Sequence, residues 1–164
     1  MVTKKKPDLE LMNDKSPSVR WEVAERIGSE GGAFADEHLQ KMMNDENYWV
    51  RWKVAKRIAI KHLPKMMNDK DSQIRWEVAR RIGVEHLPKM MNDKDLSVRH
   101  KVAKRIVVEH LPKMMNDEDV DIRLEVAKRI DPKFLGEMFG LDFDPEYQKE
   151  LINVLAERED LRRV

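Results

Sequence analysis

Val50-Arg51-Trp52-Lys53-Val54-Ala55-Lys56-Arg57-Ile58 decides the fold, because the chain keeps returning to it. With small drift the same string opens at Val19, Val50, Ile74, Val98 and Ile122. The first interval is 31 residues and the next three are 24 each. A second constant string, His-Leu-Pro-Lys-Met-Met-Asn-Asp, begins at His62, His86 and His110, with a variant at His38. Self-similarity at such a period predicts a solenoid: each unit is too small to bury its own apolar face, so neighbours stack. An array also multiplies every residue, whereas a catalyst needs one asymmetric constellation. No enzyme is expected.

Working outward, each helical run has a start signal. Ser16, Asn47, Asp71, Asp95 and Asp119 precede the five runs and are good N-cap residues. Pro17 suits the first helical position, where its missing N–H has no helical partner to lose. The fourth run is expected to stay helical to around Val108, about three turns. Pro88 and Pro112 disfavour the α region for the leucine before them, so the short piece that follows is expected to start at the proline. A 24-residue unit then holds one α-helix and one short, 3₁₀-like helix, with no strands.

On a wheel of about 100° per residue, Val98, Val102, Ala103 and Ile106 define a buried arc, and Arg99 falls inside it. A buried arginine needs a partner. The aspartate six residues earlier supplies one in every copy: Asp14 with Arg20, Asp45 with Arg51, Asp69 with Arg75, Asp93 with Arg99, and Asp117 with Arg123. A guanidinium forked onto one carboxylate and reaching the next repeat's makes a structural ladder. The alternative is a functional anion site.

The Asp-x5-Arg spacing within Val-Arg-x-x-Val-Ala, in 24-residue units, resembles the leucine-rich repeat variant (LRV) family, and more distantly HEAT repeats. The resemblance covers residues 8–130. It implies a right-handed superhelix of alternating α- and short 3₁₀-helices and no catalytic residues. Some members also carry a cysteine-ligated iron–sulfur module, which nothing here matches. The expected fold is therefore all-α, a right-handed α-solenoid of about five 24-residue repeats with a C-terminal capping helix.

The chain is expected to form one repeat domain, 1–164. Residues 8–130 give the five repeats, and the seven-residue excess near 28–37 gives a surface loop. Residues 131–164 give a degenerate sixth repeat and acidic cap. Asp144-Pro145 repeats the start signal, and Tyr147, Leu151, Ile152 and Leu155 take core positions. Asp142 keeps the ladder aspartate, but Gln148 replaces the arginine.

Lys plus Arg number 32 against 31 Asp plus Glu, so net charge gives no general pull toward nucleic acid or anionic lipid. There is no cysteine, hence no disulfide, cysteine-ligated cluster or thiol nucleophile. The start lacks the apolar run of a secretory signal, and no stretch has the roughly 20 apolar residues of a membrane span. A cytoplasmic protein is expected. The repeat histidines lie one unit apart, and packed helices sit about 8–10 Å apart, so capping or packing is preferred to a shared zinc site. The Met-Met pairs read as gap-filling core. No metal and no cofactor are expected.

One face is different. Trp21, Trp52 and Trp76 point away from the core arc, with Glu25, Lys56 and Arg80 beyond them. The series Glu22, Lys53, Glu77, Lys101, Glu125 alternates in sign and reads as exposed neighbours that fix repeat order. Arg26, Arg57, Arg81, Arg105 and Arg129 border the core as a basic stripe. Tyr48-Trp49 is a surplus of aromatics found in one copy only. Trp49 beside Trp52, Lys53 and Lys56 is either hot-spot chemistry for a partner or a cover for the insert around Phe34. The expected function is a non-catalytic scaffold for protein–protein interaction. Tyr48, Trp49 and Trp52 form its centre, Lys53 and Lys56 its rim, with Trp21, Trp76, Arg57 and Arg81 on the same face. The alternative is a nucleic-acid-binding solenoid using the arginine stripe and tryptophan stacking.

Overall fold

A computed structural model describes residues 10–140 and 144–158. The described chain is an all-helical, solenoid-like arrangement of paired helices, with no strand among those residues. It divides into two compact units, Met1–Gly83 and Val84–Val164.

Unit 1 contains α1 (Pro17–Glu30), α2 (Gly32–Met42), α3 (Tyr48–Arg57), the 3₁₀ helix η1 (Ile60–Met66) and α4 (Ser72–Arg81). Helix α1 packs on α2 and α3, and α3 packs on α4. Val23, Ala24, Ile27, Val50, Val54, Ala55, Ile58, Ile74, Val78 and Ala79 are buried, as the wheel requires. Unit 2 contains η2 (Val84–Met90), α5 (Leu96–Arg105), η3 (Val108–Lys113), α6 (Val120–Ala127), η4 (Pro132–Phe134), α7 (Leu135–Phe139) and α8 (Pro145–Ala156). Helix α5 packs on η2 and α6, and α6 packs on α8.

Asn47, Asp71, Asp95, Asp119 and Asp144 cap their helices, each side chain accepting a first-turn N–H. Ser16 does not. Its own N–H donates to Asp14 Oδ1 at 2.7 Å.

Three local expectations are corrected. The fourth run stops at Arg105, because Ile106 turns extended (ψ 148°). The short helices begin before their prolines, with Pro64, Pro88 and Pro112 inside. Leu63, Leu87 and Leu111 are wholly buried, and that burial overrides the local bias against a turn at a pre-proline residue. The insert is not a loop. Helix α1 runs on to Glu30, the chain breaks at Gly31 (φ 67°) and Gly32 (φ 80°), and α2 follows. Glycine alone adopts that left-handed backbone without strain.

Of the terminal core expectations, Tyr147 and Leu151 are buried and Leu155 is half-buried. Ile152 is 57% exposed, off the Tyr147–Leu151 stripe that meets α6. The Asp142 rung lies outside the described residues. Gln148 instead donates to the Phe139 carbonyl at 2.9 Å.

Candidate functional site

The ladder has a different wiring from the simple in-repeat pair. Arg51 is 4% exposed and forks onto the carboxylate of Asp69 in the following repeat, through Nε at 2.8 Å and Nη2 at 3.1 Å. Its Nη1 donates to the backbone carbonyls of Asp45 and Glu46, so Asp45 contributes its peptide oxygen and not its carboxylate. Arg20 does the same with Asp45 at 2.7 and 2.9 Å and with the Asp14 carbonyl. In unit 2, Arg99 forks onto Asp117 at 2.8 and 3.1 Å and takes the Asp93 carbonyl. Arg75 holds the Asp69 carbonyl and Arg123 the Asp117 carbonyl. The reason lies in the aspartate's other bond. Asp45, Asp69, Asp93 and Asp117 each accept the N–H two residues on, which turns the carboxylate from its own repeat's arginine. The carboxylates raise the Arg20 and Arg99 pKa, side-chain hydrogen bonding being the larger cause.

The basic stripe is also corrected. Arg81 donates to the Ala55 and Ile58 carbonyls, and Arg129 to those of Ala103 and Ile106, both at 2.7 Å. Each guanidinium closes the open C-terminal end of the preceding repeat's helix, where a cation is favourable. Arg158, which the repeat register did not flag, does this for Ala127 and Ile130. Arg57 has no such end to close, because α1 continues to Glu30. It pairs with Glu25 instead.

The sign-alternating series is exposed at Glu22, half-buried at Lys101 and buried at its other three members. Lys53, Glu77 and Glu125 are 8%, 3% and 9% exposed, and each pairs with a charge from the neighbouring row of the wheel. Lys53 meets Glu25 at 2.5 Å, Glu77 meets Arg80 at 2.5 Å and Glu125 meets Lys128 at 3.1 Å. Lys53 is therefore no rim charge. Its Nζ lies 4.2 Å from the centre of the Trp21 ring and 5.6 Å from that of Trp52, propping the indoles from beneath. Lys53 and Arg57 hold the Glu25 carboxyl below its ordinary pKa.

Above this layer, within unit 1, the first turns of α1 and α3 enclose a cleft of about 460 Å³ lined by Pro17, Ser18, Trp21, Glu22, Asn47, Trp49 and Trp52. Trp49 is 58% exposed. Its ring meets Trp52 edge-on (6.1 Å, 87°) and Tyr48 at 4.8 Å. The Tyr48 hydroxyl donates to Gln73 Oε1 at 2.6 Å, tying the cluster to α4. Burial, with Asp71 second, raises the Tyr48 pKa. Lys56 stands 4.4 Å from the Trp52 ring centre and is exposed. Phe34, in the insert, meets the His38 ring at 4.1 Å and a tilt of 37°.

Thus Trp21, Trp49 and Trp52 come together, with Tyr48 buttressing and Lys56 beside them. Trp76, half-buried on α4, is not in the lining. Sequence reasoning passed over Pro17, Ser18 and Asn47 as lining residues. The helix-start signals at Pro17 and Asn47 were legible, and two such starts packed side by side are what bring them to one cleft.

His38 is buried with Nδ1 2.6 Å from the Phe34 carbonyl, and His62 lies 3.8 Å from Asp36. Among the described residues no three His, Cys, Asp or Glu side chains group as metal ligands. No described helix is long and apolar enough to cross a membrane.

Fold and face together define an all-helical repeat scaffold carrying a tryptophan cluster in which Trp49 is exposed. It is similar to a solved structure described as a leucine-rich repeat variant with a novel repetitive structural motif: 32% identical, TM-score 0.76, covering 94% of this chain. This chain spans 63% of that one's length. The chain carries an LRV-like repeat fold. An engineered protein is also similar, at 18% identity and TM-score 0.49, with 92% of this chain and 94% of that chain covered. No family model matches, and no curated protein matches.

Proposed function

We propose that this scaffold binds another protein through the tryptophan cleft of unit 1. Trp49 and Trp52 are the anchors, Trp21 the opposite wall, and Tyr48 and Lys56 the flank. The single observation that supports this most is Trp49: a large aromatic side chain, more than half exposed, in the copy that departs from the repeat. Rigid aromatic anchors beside an apolar cleft supply most of the binding energy in protein interfaces, and flanking charges tune encounter. The proposal takes residues 1–164 as one repeat domain. Arg81 is engaged with helix carbonyls and Arg57 with Glu25, which weighs against the nucleic-acid alternative.

Affinity capture with the intact chain beside a Trp49→Ala, Trp52→Ala variant tests it. A protein retained by the intact chain and lost by the variant is expected, with only modest loss between about 50 and about 200 mM salt. A reader of 6–10 phosphates would lose about 10³–10⁵ in affinity over that range. A steep salt slope with DNA, abolished by changing Arg57 and Arg81, would replace the reading.

A further inference from the structure

We infer that the occupant of the tryptophan cleft is a proline-rich segment in the polyproline II conformation; this rests on the docking reading above. The first argument is the balance of donors. Indole nitrogen is a donor only, and the N–H groups of Trp21, Trp49 and Trp52 donate to no acceptor among the described residues. One candidate acceptor in the lining, Asn47 Oδ1, is already engaged by the Trp49 backbone N–H at 2.9 Å. The cleft therefore offers apolar ring surface with donors that lack acceptors. A polyproline II segment is the complement: its carbonyls are unpaired within the chain and its prolines carry no N–H to satisfy. Its pyrrolidine rings lie flat against aromatic walls, and its preformed shape reduces the ordering cost of binding.

The second argument is charge. A cationic ligand such as a methylated lysine would also favour tryptophan walls. Here Lys53 lies 4.2 Å from the Trp21 ring centre and Lys56 lies 4.4 Å from that of Trp52. Lys53 is paired with Glu25, but the exposed Lys56 ammonium already uses the Trp52 ring and would repel a second cation there, against the pull of Glu22 in the lining. An uncharged, acceptor-rich segment meets no such penalty.

The test uses the intact chain, ¹⁵N-labelled, with the indole N–H resonances of its four tryptophans as probes. An octaproline peptide is titrated beside a glycine–serine peptide of equal length and free trimethyllysine. Octaproline is expected to move the Trp21, Trp49 and Trp52 indole signals saturably, leave Trp76 in place, and bind at least about tenfold more tightly than the glycine–serine peptide. Trp49→Phe keeps an aromatic wall but removes one donor, and is expected to weaken octaproline by about tenfold at most. The Trp76 indole signal, unmoved in that variant, reports that the fold survives. No octaproline response, no preference over glycine–serine, or tighter binding of trimethyllysine at the same signals overturns the inference. If octaproline fails while a captured protein still depends on Trp49 and Trp52, the docking reading stands and only the occupant is wrong. If capture is indifferent to those residues, the docking reading has failed as well.

Discussion

At Arg51 one guanidinium joins three pieces of chain: its own helix, the turn at Asp45–Glu46 and the Asp69 carboxylate of the next repeat. The carboxylate partner is 8% exposed at its side chain. Arg51→Ala leaves that charge buried without its fork and two carbonyls without a donor. Breaking a buried pair costs about 3–5 kcal/mol, whereas Lys56→Ala, an exposed change, should cost no more than about 0.5 kcal/mol. Urea denaturation of the two variants checks this, and coincident midpoints would refute the ladder's structural weight. Gly28 makes a second residue-scale prediction. A Cβ built there would fall 2.5 Å from Arg57 Cβ and 2.7 Å from its Cγ. The obstacle is the root of the arginine side chain, so α1 and α3 must part. Gly28→Ala is therefore destabilising despite its better helix propensity, by about 1–3 kcal/mol, read from the same denaturation curves.

At the scale of elements, one substitution separates α2 from the short helices of the later repeats. Where η1, η2 and η3 carry Pro64, Pro88 and Pro112, the first repeat has Gln40. Keeping the backbone N–H at 40 lets an α-helix persist there, and the seven extra residues provide its length. Gln40→Pro should remove that bond and press its ring on the Asp36 carbonyl, costing about 3 kcal/mol or more. Loss of helical circular dichroism with a lowered melting midpoint is the expected result. The repeat period and buried arc were legible because periodic burial writes itself into the spacing of Val, Ala and Ile. The insert was misread because Gly28, Gly31 and Gly32 suggest a loop, while the Gln at position 40 is a quieter signal. Helix ends were placed too late because what stops them is tertiary: Arg129 reaching the Ala103 and Ile106 carbonyls is set by a neighbour 23–26 residues away.

Across the molecule, the two units repeat one chemical layer: Glu77 with Arg80 in unit 1 and Glu125 with Lys128 in unit 2, each carboxylate almost wholly covered. The sequence displayed these charges as an exposed alternating face, since a helical wheel knows angle but not the width of what packs above it. The tryptophan surplus of the candidate site was legible. The propping of its walls by Lys53 was not, because that depends on Glu25 standing 2.5 Å away across a helix pair. Glu25 gives this layer a pH signature. The Lys53 ammonium, then the Arg57 guanidinium, hold its folded pKa below the unfolded value of about 4.3. A depressed carboxylate contributes stability that is fully present above the unfolded value and is lost as pH falls through the folded one. Glu25→Gln should therefore lower the denaturation midpoint at about pH 7, where the charged form is favoured, and make less difference at an acid pH below the unfolded value of about 4.3, as the carboxyl loses its charge. Because Glu25 is one-third exposed, the effect is discounted by solvent screening, but its direction is fixed by linkage. Equal midpoint differences at the two pH values would show that Glu25 does not hold its charge against Lys53 and Arg57, and that the walls of the cleft stand without it.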